Sequence, residues 1–174
     1  MKKCMVVLAV LLLYAVQSIA PALALTVEEF VQRYNENCGE SFHLRMDWFS
    51  PDEERNIWFL LASTRDGDSV SVQYDPQSAE NPEQCLIKKI FVMHKPRTSV
   101  GRFVARADLA LKAAYPDMDP EARARIIIGA MEHAEILFGE SPADAIAYNV
   151  DEIGQFVYQE TIERDVLLIP VENE

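Results

Sequence analysis

Little in this 174-residue chain is built for metal or redox chemistry, since it holds only three cysteines and three histidines. None of His43, His94 and His133 has a second histidine or a cysteine at a ligand spacing, so a zinc pattern cannot be assembled. The G-x-x-x-x-G-K phosphate loop and the G-x-G-x-x-G dinucleotide turn are absent, as are G-x-S-x-G, H-E-x-x-H and C-x-x-C. No cofactor is therefore expected. Six glycines and nine prolines exclude a collagenous or linker-like chain. Positive charge is also short, with 16 Lys and Arg against 28 Asp and Glu and a net charge of −12. That balance argues against a general nucleic-acid binder, which needs cations to displace the counterions of the duplex.

Long apolar runs are missing everywhere except at the start. Lys2 and Lys3 precede an apolar stretch from Met5 to Val16, and Ala22-Leu23-Ala24 forms an A-x-A cleavage pattern. Residues 1–24 therefore read as a secretory signal peptide cut after Ala24, which predicts an extracytoplasmic protein, periplasmic or secreted. Cys4 lies before the apolar run, so it is not placed for lipid attachment at the cleavage site. Nothing later approaches the ~20 consecutive apolar residues of a membrane span. Residues 25–174 are the size of one domain with one core. Removal of Cys4 leaves Cys38 and Cys85, and a lone pair in an exported chain predicts one disulfide. Closing its loop would contribute roughly 4 kcal/mol in the chain-entropy picture.

The patterning predicts an α+β domain. Thr26 and Glu29 form a capping box for an N-terminal helix whose apolar stripe is Val27, Phe30, Val31 and Tyr34. Phe42, Leu44, Met46 and Trp48 alternate with polar residues, which predicts a first strand there. Segments 57–64 and 69–74 flank Arg65-Asp66-Gly67-Asp68, whose Asp-Gly pair predicts a hairpin. A fourth strand runs over 86–93. Two consecutive central helices follow. The first carries Val100, Phe103, Val104, Ala107, Leu111, Ala114 and Tyr115 on one face, and the second starts at Asp119-Pro120-Glu121. Strands near 145–150, 155–162 and 166–171 complete a mostly antiparallel sheet of about six or seven strands.

Candidate chemistry is sparse. His43 and Asp47 could share a strand face, His94 precedes a basic stretch as a solvated or anion-facing group, and His133 borders an apolar helix face. Asp66-Gly67-Asp68 and the acidic run 117–121 lack the spaced oxygen series of a calcium loop, and turn and cap chemistry account for them. Trp48, Trp58, Phe59, Tyr148, Phe156 and Tyr158 fall at strand spacings and read as core or sheet-face residues.

One feature stands above this background. Residues 86–112 hold Lys88, Lys89, Lys95, Arg97, Arg102, Arg106 and Lys112 against Asp108 alone, a net of +6. The stretches on either side, 25–85 and 113–174, carry −9 and −11. Arg102, Arg106 and Lys112 are expected to form one exposed helix face. Such a patch suits an anionic cell-envelope component or an acidic protein partner; intramolecular charge balance is the plainer account. The expected function is an exported binding or interaction module without recognisable catalytic machinery. The alternatives are a small envelope-polymer hydrolase and a chaperone-like or structural envelope protein.

Overall fold

The computed structural model describes residues 24–52, 57–63, 69–94, 100–138, 146–150, 154–160 and 165–171. The fold is α+β. Helix α1 (Val27–Glu36) leads into strands β1 (Met46–Asp52), β2 (Ile57–Ser63), β3 (Ser69–Tyr74) and β4 (Ile87–His94). Helices α2 (Val100–Ala114) and α3 (Pro120–Phe138) follow, then β5 (Ile146–Val150), β6 (Gly154–Glu160) and β7 (Asp165–Pro170). All pairings are antiparallel, in the order β1-β2-β3-β4-β7-β6-β5. The sheet is thus two meanders, β1 to β4 and β5 to β7, joined at a β4–β7 seam.

Capping fixes the start of α1. The Thr26 hydroxyl accepts from the Glu29 amide and the Glu29 carboxylate accepts from the Thr26 amide, each at 3.2 Å. Val27, Phe30 and Tyr34 then fall on one side and are buried. Just ahead of the helix, the chain is laid against the entry to β4. The Leu25 carbonyl accepts from the Ile87 amide at 2.9 Å and the Val27 amide donates to the Cys85 carbonyl at 3.1 Å. Leu25 itself is buried beside an exposed Ala24.

The first strand begins later than the alternation suggests. Residues 40–42 form a short 3-10 turn. The Asn35 side chain then clamps Leu44, accepting from its amide at 2.8 Å and donating to its carbonyl at 3.1 Å. With Leu44 held to the end of α1, pairing starts only at Met46, so His43 and Asp47 do not share a strand. The Asp66-Gly67 turn lies outside the described residues, although β2 and β3 pair up to Ser63 and Ser69 on either side of it.

A bulge sets the facing of β4. Gln73 pairs with Lys89 but Tyr74 pairs with Ile87, which leaves Lys88 as an extra residue. Side-chain parity therefore changes at Lys88, and Ile87, Ile90, Val92 and His94 all reach the buried face. That face meets the helices. Phe103 of α2 lies 5.5 Å from the His94 ring and 5.9 Å from the Tyr158 ring, centroid to centroid. Phe156 and Tyr158 are core residues, as their spacing implies. Tyr115, just past α2, packs on Phe156 and donates its hydroxyl to the Pro170 carbonyl, and burial raises its pKa to about 12.

The expected disulfide is not formed, and Cys38 and Cys85 are free thiols. Cys85 is bonded through its carbonyl to Val27, the first residue of α1, whereas Cys38 follows the C-cap Asn37. A ten-residue helix, about 15 Å long, separates the two positions. A bridge needs Cα atoms within about 6.8 Å. Each sulfur instead faces backbone oxygen, Cys38 toward Asn35 at 3.7 Å and Cys85 toward Ala79 at 3.4 Å.

Candidate functional site

The described cations of the basic segment do not gather into one face. Arg106, expected outside, is fully buried and sets its guanidinium 5.2 Å above the Phe42 ring. The reason is the number of neighbours around α2, which packs on α1, α3 and β4. A helix with one neighbour buries a single stripe. With three, the buried arc widens to take in Arg106, Ala110 and Ala113 beside Phe103, Ala107 and Leu111. Val100, assigned to the apolar face by periodicity, is instead 55% exposed at the first turn. Beside Arg106, burial holds the Tyr34 phenol above its ordinary pKa, although the guanidinium favours its ionisation. The Tyr34 hydroxyl has no hydrogen-bond partner among the described residues.

Arg102 and Lys112 are half-buried on α2, ten residues apart and so about 15 Å apart along the helix. Lys88 sits at the bulge and pairs with Asp75 at 3.5 Å. Lys89 belongs to the sheet face opposite His94, because side chains alternate along β4 past the bulge. Lys95 and Arg97 lie outside the described residues. Of the seven cations, the fold thus spends Arg106 in the core and spreads the described remainder over sheet and helix.

Asp108, the one acid of the basic segment, also has a structural task. It accepts from Arg123 Nε at 2.7 Å, and Arg123 Nη1 donates to the Met118 carbonyl at 2.7 Å. This pins α3 to α2 across their short connection. The acidic run 117–121 acts as a cap, with Asp119 accepting from the Glu121 amide at 3.3 Å. His94, expected to be solvated, is buried at the end of β4, opposite Asp165 in the β4–β7 register. Burial raises the Asp165 carboxyl's pKa and the neighbouring His94 pulls it the other way. His43 is exposed after the 3-10 turn, and the His133 side chain lies outside the described residues. Among the described residues, no three His, Cys, Asp or Glu side chains are grouped to hold a metal ion. No helix among them is long and apolar enough to cross a membrane.

Sequence reasoning missed the sheet face that carries Lys89. Phe91 pairs with Leu168, Met93 with Val166, and Leu168 in turn with Val157 of β6. Directly paired residues share a face, so these five apolar side chains form one patch across β4, β7 and β6, with Lys89 next along β4. All six are half-buried. The signal that could have shown this was the bulge: without it, the parity of β4 cannot be assigned. Comparison with protein-family models, curated proteins and solved structures returns no match to this chain.

Proposed function

We propose that the chain is an exported binding module, processed after Ala24, which takes an anionic cell-envelope component or the acidic surface of a protein partner. The observation that carries this reading is the shared face of Lys89, Phe91, Met93, Val157, Val166 and Leu168, an apolar centre with a cation at its margin. Interaction surfaces have this composition, apolar at the middle and polar at the rim. Lys89 is the cation of this face, because α2, which carries Arg102 and Lys112, packs on the other side of the sheet. The seating of Leu25 against Ile87 suits processing after Ala24, because among the described residues Leu25 is the first to be buried and Ala24 is exposed.

The test uses two probes, polyglutamate and vesicles rich in phosphatidylglycerol, titrated onto the purified protein at low and physiological salt. Binding is expected to strengthen at low salt, as the Debye length grows from about 8 Å toward about 30 Å. The variant Lys89→Glu is expected to abolish that gain with little change in thermal midpoint, while Arg102→Glu with Lys112→Glu, across the sheet, leaves most of it in place. Failure of both probes, or binding indifferent to salt and to Lys89→Glu, would overturn the reading. Preference for one probe tells polymer or protein from lipid.

A further inference from the structure

The chain enters the fold through a short seat at the start of β4. The Leu25 carbonyl accepts from the Ile87 amide at 2.9 Å, Thr26 pairs opposite Leu86, and the Val27 amide donates to the Cys85 carbonyl at 3.1 Å. The backbone groups of Thr26 are also taken, its amide by the Glu29 carboxylate at 3.2 Å and its carbonyl by the Phe30 amide at 3.0 Å. Leu25 is 1% exposed. The seat lies on the edge of β4 away from β3, whose end takes the Leu86 carbonyl through the Asp75 amide. β7 uses that same edge and stops just short: Pro170 pairs with Lys89, and the Val171 amide donates to the Lys88 carbonyl at 2.9 Å. Carried one residue further, the two registers bring Ala24 and Val171 to the same position beside Lys88. Val171 holds it, so the chain leaves the sheet at the Ala24–Leu25 bond, with Ala24 exposed.

We infer that folding closes the processing site: the Ala24–Leu25 bond can be cut only while residues 25–27 are off β4. The inference rests on the reading that the chain is processed after Ala24. A peptidase takes its substrate as an extended strand, pairing with main-chain groups on both sides of the bond. Here the side before the bond is open and the side after it is shut. To lie in such a cleft, residues 25–27 must give up their bonds to Cys85 and Ile87 and those of the helix cap, and Leu25 must leave the core. Cleavage of a folded chain then follows the small population in which the seat is open. The groups that close it, Cys85 to Ile87 and Val171, are made long after Leu25. The bond is therefore accessible during synthesis and shut in the finished domain, and a chain that folds before it is cut keeps its leader.

Cleavage by a purified signal peptidase is followed on the folded, unprocessed full chain and on a synthetic peptide of residues 16–32, in one detergent buffer. The peptide is expected to be cut after Ala24, and the folded chain about a hundredfold or more slowly. Leu25→Gly removes the buried side chain and leaves the backbone able to pair. It is expected to speed cleavage of the folded chain roughly tenfold or more. The same change in the peptide is expected to leave its rate nearly unchanged, which separates the seat from any preference of the enzyme. Amide exchange at Val27 and Ile87 reports the opening without the enzyme, and cleavage of the parent chain is expected to track it as urea rises below the unfolding transition. Equal rates for folded chain and peptide would overturn the inference and leave processing after Ala24 standing. So would a folded Leu25→Gly chain as resistant as the parent, or cleavage indifferent to the exchange rate. A peptide left uncut after Ala24 would remove the processing reading itself, and the inference with it.

Discussion

Arg106 places a full charge where no water reaches it, so its replacement separates a structural cation from a binding one. Arg106→Glu reverses that charge against the Phe42 ring and is expected to cost about 3 kcal/mol or more in urea denaturation. Arg102→Glu, four residues earlier and half-exposed, is expected to stay within about 0.5 kcal/mol. Equal effects would mean that α2 has no inner and outer side at these positions. Tyr115 gives a second reading at this scale. Its phenol ionises near 12 rather than 10 in the folded protein, so the fold favours the protonated form. The stability it contributes is intact below pH 10 and is lost as pH rises through about 12. A tyrosinate absorbance titration should therefore lose one late step in Tyr115→Phe, with about 1 kcal/mol of stability lost at neutral pH. Periodicity could place Phe103 and Leu111 inside, but not Arg106. Burial of a cation depends on how many elements surround its helix, and a single helix pattern does not hold that information.

Between elements, the clearest joint is α2 to α3. Arg123 is nearly buried, and the Asp108 carboxylate and Met118 carbonyl receive its donors. Asp108→Ala is expected to lose about 1–2 kcal/mol, less than a fully buried pair because Asp108 is still 42% exposed. Asp108→Glu, which keeps the charge at a different reach, should recover only part of it; thermal unfolding of both variants checks this. Element by element, legibility followed the locality of the cause. The capping box of α1, the Asp119-Pro120 start of α3 and the two central helices rest on residues within one turn of each other, and they could be read from the sequence. The late start of β1 rests on a clamp between Asn35 and Leu44, and the facing of β4 on a bulge that exists only against β3. Neither leaves a local signature. Arg106 escaped for the same reason, since it was expected with Arg102 and Lys112 on one exposed helix face.

Across the whole molecule, the cysteines offer the most direct check of the architecture. They sit at opposite ends of α1, so both Cys38 and Cys85 should titrate after unfolding without any reductant. In the native protein Cys85 should resist alkylation. Cys38 should react slowly at neutral pH and faster as pH rises, because burial raises its pKa. A mass increase of two hydrogens on reduction would contradict the fold. A pair of cysteines forms a bridge only when the fold brings them together, and here that depends on where residues 24–26 are laid. The β4–β7 seam has a consequence of its own. His94 and Asp165 meet across about 70 intervening residues, and β7 is synthesised after all the other described strands. Throughout synthesis of α2, α3, β5 and β6 the inner strand β4 has no neighbour on that side. The middle of the finished sheet is therefore its last part to close, and a nascent chain stalled before β7 presents a sticky, unsealed centre for as long as the stall lasts.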